Sequence, residues 1–334
     1  MMTPKSASRL PVRLAFTVVL AATFALPSPL LAVEALSINP AWVQKDTPAT
    51  SATATIRGLG FEPGAVVAFD GVPAGVTFID SRTLRVQVPT STVGKIARVE
   101  VANPGGATDD LFPFIYTDNK IYVSSQGSDT NRGDAPTAPK RTIRAAIDTA
   151  STSVTNLILV TEGRFGDNML PVPNGTVLAG GYDLTFTLRD PDHHVSVVDS
   201  SGFGFNLRSF GLDAKVVVDG LTFLGGLRDG SSGGSIEFVG DQVVLSNSVI
   251  VGNVTSSMGG GVYIGFTTAY GGRTSITNNV IIGTRAYAGA GGGIVIYPFY
   301  TSGNPLEVAI TDNYIVGNRS FLSRGGGVSV QTNS

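Results

Sequence analysis

From about Asp219 to the C-terminus, short apolar runs alternate with glycine and asparagine at a regular beat. Ser246-Asn-Ser-Val-Ile-Val-Gly-Asn253, Thr277-Asn-Asn-Val-Ile-Ile-Gly-Thr284 and Thr311-Asp-Asn-Tyr-Ile-Val-Gly-Asn318 align with one another. Each is followed by a Gly-Gly-Gly block and an alternating run, Val262-Tyr-Ile264, Ile294-Val-Ile296 and Val328-Ser-Val330. Gly252, Gly283 and Gly317 lie 31 and 34 residues apart (283 − 252, 317 − 283), and the triple-glycine starts Gly259, Gly291 and Gly325 lie 32 and 34 apart. A degenerate earlier copy reads Asp219-Gly-Leu-Thr-Phe, then Gly233-Gly-Ser-Ile-Glu-Phe238. Such a period marks a stacked array. The Val/Ile-rich runs lack helical periodicity, so the array is a β-solenoid.

Upstream the pattern changes twice. From Leu36 to Tyr116, short alternating runs are separated by turn signals such as Pro63-Gly64, Asp70-Gly71 and Asn103-Pro-Gly-Gly106. That spacing predicts a β-sandwich. From Lys140 to Ala150, Ile143, Ala146, Ile147 and Ala150 recur on one helical face. A short helix there would cap the exposed end of the solenoid. Leu157-Ile-Leu-Val160 then reads as the first strand of the coils.

Three resemblances sharpen this. Ile38-Asn-Pro40, Ile56-Arg-Gly-Leu-Gly-Phe61, Val66-Val-Ala-Phe-Asp-Gly71 and Val99-Glu-Val-Ala-Asn-Pro-Gly-Gly106 resemble the IPT/TIG immunoglobulin-like fold. In secreted bacterial proteins that likeness implies a spacer or accessory module beside carbohydrate-active or adhesive domains. Tyr122-Val-Ser-Ser-Gln-Gly-Ser-Asp129, with Ala138-Pro-Lys-Arg-Thr-Ile143, resembles the N-terminal cap of pectate-lyase-like right-handed β-helices. The stretch from Val177 through Tyr182, Arg189-Asp-Pro191 and Ser196-Val-Val-Asp199 resembles a recurring block of large surface β-helix proteins, most without assigned chemistry. The expected fold is all-β: an immunoglobulin-like β-sandwich at 33–117, then a right-handed parallel β-helix at 118–334. Its capping segment is 118–155 and its coils are 156–334.

Residues 1–32 read as a secretory signal, with Lys5, Arg9 and Arg13 before the apolar core Leu14 to Leu26. An uncleaved anchor is the weaker alternative, because the apolar run is short for a span. The expected location is secreted or cell-surface, with no transmembrane segment after cleavage. No capping signal follows Gln331-Thr-Asn-Ser334, so the solenoid end is expected to be uncapped.

Composition narrows the chemistry. The net charge of −2, from 23 Lys+Arg and 25 Asp+Glu, argues against nucleic acid as a partner. With no cysteine, disulfides and thiolate sites are excluded. The only histidines are the adjacent His193 and His194, which rules out a three-histidine zinc site. Beside Asp190 and Asp192 they read as surface structure more readily than as a general base.

Residues in one register stack about 4.8 Å apart and form columns. Alternation places Glu237, Tyr263, Val295 and Ser329 in one outward column, which holds a single carboxylate. Asp219, Asn247, Asn278 and Asp312 form another, whose two acids are about 14 Å apart, too far to share one calcium. No cofactor is expected; calcium has no ligand set in the repeats. The asparagines suit corners and coil-to-coil amide bonds. Candidate carbohydrate contacts are Arg285 and Arg319 in one column and Tyr287 and Phe321 two residues on. Tyr263 and the loop aromatics Phe266, Tyr270, Phe299 and Tyr300 complete the set. The leading expectation is a non-enzymatic β-helix that binds polysaccharide or a cell-surface glycan, or acts in adhesion. The alternative is a pectate-lyase-like lyase or hydrolase of acidic polysaccharide, its site either in coils beyond Ser334 or around Asp183, Arg189, Asp190, Asp199 and Arg208 in the irregular early coils. A third reading is a passive stalk of a surface export system. The sequence leaves catalysis undecided and is silent on oligomeric state.

Overall fold

The computed structural model describes residues 33–106, 108–210, 215–230, 233–239, 242–266, 273–298, 307–322 and 325–331, leaving out the side chains of 110–113, 210, 266, 273, 298 and 307. The signal-like segment 1–32 and the expected uncapped end at 332–334 lie outside these residues.

The first part is a β-sandwich. One sheet pairs Glu34–Asn39, Thr53–Leu59, Thr83–Gln87 and Gly75–Asp80 in spatial order. The facing sheet orders Trp42–Gln44, Thr108–Thr117, Lys95–Ala102, Val66–Phe69 and Val72–Pro73. Alternating side chains turn inward, so Ile56, Leu84, Val99 and Phe114 are fully buried between the sheets. Phe69 meets Phe114 edge-on with centroids 5.1 Å apart.

The second part is a right-handed parallel β-helix. Among the described residues its first sheet stacks seven parallel strands, from Asn119–Val123 and Asn156–Thr161 to Glu307–Thr311. A second stacks six, from Gly163–Phe165 to Tyr314–Val316, and a third six, from Leu170–Pro171 to Val328–Val330. A narrow ribbon, Leu227–Arg228, Val254–Thr255, Arg285–Ala286 and Arg319–Ser320, lies between the second and third in later coils. Ile158, Leu178, Val218, Phe223, Phe238, Ile264 and Ile281 fill the interior.

Two details differ from the sequence reading. Asn119–Val123, expected in the cap, is itself the first rung, pairing in parallel with Asn156–Thr161. The helix is shorter than predicted, at Ile143–Thr149. Thr142 caps it by accepting from the Ala145 amide, and Ala150 already has extended backbone. Its Ile143, Ala146 and Ile147 close the end of the solenoid core as expected.

The sandwich does not hang beside the β-helix; it lies on the outer face of the first sheet. Leu157, Leu159, Val177, Ala179, Val217 and Val244 point away from the solenoid interior and join the sandwich core. A polar seam sets the register. Trp42 Nε1 donates to Asp219 Oδ2 at 3.1 Å, and Asn39 and Asn247 exchange amide hydrogen bonds of 2.9 and 3.1 Å. Arg57 lies 3.9 Å from Asp312. Arg189 lies 2.8 Å from Asp219 and covers the Trp42 ring at 5.6 Å. The expected column is also corrected. Asp219 pairs in register with Ser246, and the left-handed corner instead holds Gly220, Asn247, Asn278 and Asp312, at φ of 72, 49, 55 and 56°.

Asparagine side chains bond coil to coil inside the turns. Asn279 donates to Leu245 O at 2.9 Å, Asn313 to Ile276 O at 2.7 Å and Asn318 to Ile281 O at 2.8 Å. The triple glycines fold over the third sheet. A Cβ on Gly291 would lie 2.6 Å from Val295 Cβ, and one on Gly292 2.4 Å from the Arg319 backbone. Gly283 has a similar positive φ but open space around it. Gly291→Ala should therefore cost about 2–3 kcal/mol, and Gly283→Ala only about 1 kcal/mol, the penalty of the left-handed conformation alone. Chemical denaturation of the two variants checks the order; equal losses would contradict the packing account.

Candidate functional site

The glycine cover changes what the third sheet offers. Glu237, Tyr263, Val295 and Ser329 share a column as expected, but all four are buried, Tyr263 at 2% exposure. Tyr263 packs with Val239 and Val295 instead of facing solvent. Burial, then the neighbouring Glu237 charge, drives its phenol well above the usual range. It is closed to a sugar, which corrects the expectation. Alternation identified the correct side of the strand, but the turn covering that side was not apparent.

Several acids of the early coils have a cationic or donor partner. Glu237 lies 2.5 Å from Arg228 and 3.2 Å from Arg208, and the Arg228 guanidinium covers Phe205 at 4.5 Å. Asp199 accepts from Arg164 Nε at 2.6 Å and from the Ser201 amide at 2.8 Å. Burial would raise its pKa, but the Ser201 amide and Arg164 outweigh that and hold the carboxyl below the ordinary range. Asp183 is held by Thr185, Thr187 and Leu188 within its own turn, and these bonds lower its pKa strongly. Asp190 faces His193 at 2.9 Å, and Glu162 faces His194 at 3.0 Å. Arg189 is spent on the seam. Among the described residues no three His, Asp or Glu side chains form a group able to hold a metal.

The ribbon is different. Arg285 and Arg319 are direct register partners on adjacent strands, and both are exposed. Among the described residues neither has a carboxylate partner. Like charges directly opposite one another repel, and an anion laid across the pair would relieve that repulsion. The glycine block fixes the geometry, since Gly260 and Gly292 press on the Arg285 and Arg319 backbones. Beside them Tyr287 and Phe321 stack at 4.8 Å and 7°, at 45% and 49% exposure. Each ring spends one face on the other, which leaves edges and outer faces for a ligand. The candidates Tyr270, Phe299 and Tyr300, and the Phe266 side chain, lie outside the described residues.

The IPT/TIG domain family model matches residues 36–116, and this segment is the sandwich. A solved structure of the Yersinia enterocolitica family 28 exopolygalacturonase aligns at 11% identity over 89% of this chain and 77% of its own, with a TM-score of 0.28. No curated protein matches the chain in sequence. By that family match and its own sheet topology, the chain joins an IPT/TIG domain to a right-handed parallel β-helix.

The Glu237 cluster makes a prediction. Glu237→Gln removes the carboxylate charge that the Arg208 and Arg228 guanidinium groups both face. It should cost about 3 kcal/mol, the low end for breaking a buried ion pair, because Arg208 keeps some solvent. A fall in thermal midpoint with the double variant Glu237→Gln/Arg208→Met recovering part of it supports the account; no fall would contradict it.

Proposed function

We propose that the chain is an exported β-helix protein that binds acidic polysaccharide along the ribbon ridge. One observation carries the reading: two exposed arginines stacked in register, with no acid partner among the described residues, beside an aromatic stack. A polymer laid along the solenoid axis meets one coil about every 4.8 Å. Successive anionic units would thus meet successive guanidinium groups. The signal-like segment 1–32 supports export. Among the described residues no helix is long and apolar enough to cross a membrane.

The test is affinity electrophoresis of the secreted chain in polygalacturonate, alginate, a sulfated glycosaminoglycan and neutral dextran. Retardation by an acidic polymer, weakening with salt, is expected. Arg285→Gln/Arg319→Gln should weaken it about tenfold, at roughly 0.7 kcal/mol for each exposed contact. Equal retardation by dextran, or no change in the double variant, would overturn the reading.

A further inference from the structure

The ribbon column is not cationic throughout. In coil order it reads Leu227, Val254, Arg285, Arg319, so two apolar positions lead into the arginine pair. Leu227 is 49% exposed, and its amide donates to Gly204 O at 2.8 Å. This bond brings in the neighbouring turn, which carries Phe203 at 71% exposure. Met169, 50% exposed, lies against Gly204, its side chain 3.0 Å from where a Cβ would sit. Phe203 thus belongs to the turn bonded to Leu227, and Met169 lies against that turn, at the start of the column that runs on to Arg285 and Arg319. Large apolar side chains exposed together mark an interaction site more often than isolated ones do.

We infer that this ridge docks on an anionic lipid surface, with Met169, Phe203 and Leu227 entering the headgroup boundary and Arg285 and Arg319 contacting acidic headgroups. The inference rests on the same reading of the arginines as anion contacts and adds an apolar anchor to it. Shape favours a surface over a single captured lipid. Phe203 projects from a turn, and projecting aromatics enter an interface where a recessed pocket would admit a ligand. Charge complementarity selects the lipid: an arginine pair with no acid partner among the described residues suits acidic headgroups and gains nothing from neutral ones.

The experiment is co-sedimentation of the intact chain with phosphatidylglycerol-containing or pure phosphatidylcholine vesicles, beside the polygalacturonate assay. Binding to the anionic vesicles alone is expected. Phe203→Ser/Leu227→Ser should weaken vesicle binding about tenfold and leave polygalacturonate binding unchanged. Arg285→Gln/Arg319→Gln should weaken both, about fivefold per arginine at the vesicle, where each contributes roughly 1 kcal/mol. Phe203 and Leu227 are exposed, so these variants should fold, and circular dichroism confirms it. Polygalacturonate binding without vesicle binding, or vesicle binding indifferent to the apolar pair, overturns the inference and leaves the polysaccharide reading standing. Vesicle binding that behaves as described without polysaccharide binding supports it and overturns that reading instead.

Discussion

One sheet buried on both faces holds this molecule together. A parallel strand with apolar residues at every position has no side to give to water, so it needs a partner on each face. Asn156–Thr161 and Thr176–Tyr182 are buried at every residue, with the solenoid core on one side and the sandwich on the other. Large apolar interfaces suppress independent motion between domains. The IPT/TIG domain is therefore the outer wall of the first sheet. The seam of Trp42, Asn39, Arg57, Asp219, Asn247 and Asp312 selects one register out of those an apolar contact alone would permit.

This constraint directs function by elimination. The sandwich occupies the first sheet and glycine turns close over the third, where the column of Glu237 and Tyr263 is buried. Open surface remains on the second sheet and along the ribbon. Asp199, Asp219 and Glu237 of the early coils each lie in an ion pair with an arginine. On the ribbon the same packing does the opposite. The glycine blocks hold two cations in register and leave them exposed.

Much of the fold could be read from the sequence, because a repeat writes its period into glycine and asparagine spacing and a sandwich writes alternation between turn residues. The docking of the sandwich also leaves a mark in the sequence. Leu157-Ile-Leu-Val160 and Val216-Val-Val218 are continuous apolar runs, the mark of a strand covered on both sides, whereas the second-sheet strand Leu221-Thr-Phe-Leu224 alternates. The columns of Arg285 with Arg319 and Tyr287 with Phe321 follow from counting within the repeat. The burial of Tyr263 does not, because it depends on where a turn of three glycines folds, and glycine has too many conformations for its path to be read from order alone. The ion pairs of Asp199 and Glu237 join residues distant in sequence, and no local pattern marks them.

Trp42 is the chain's single tryptophan, and its indole sits in the seam against Asp219 and Arg189. Its fluorescence therefore reports docking, while far-ultraviolet circular dichroism reports the strands of both parts. Both should be followed through one urea titration. If the sandwich is the wall of the first sheet, the two signals will change together in one transition. A fluorescence change that precedes loss of strand signal would show the sandwich leaving an intact β-helix, and would contradict the account.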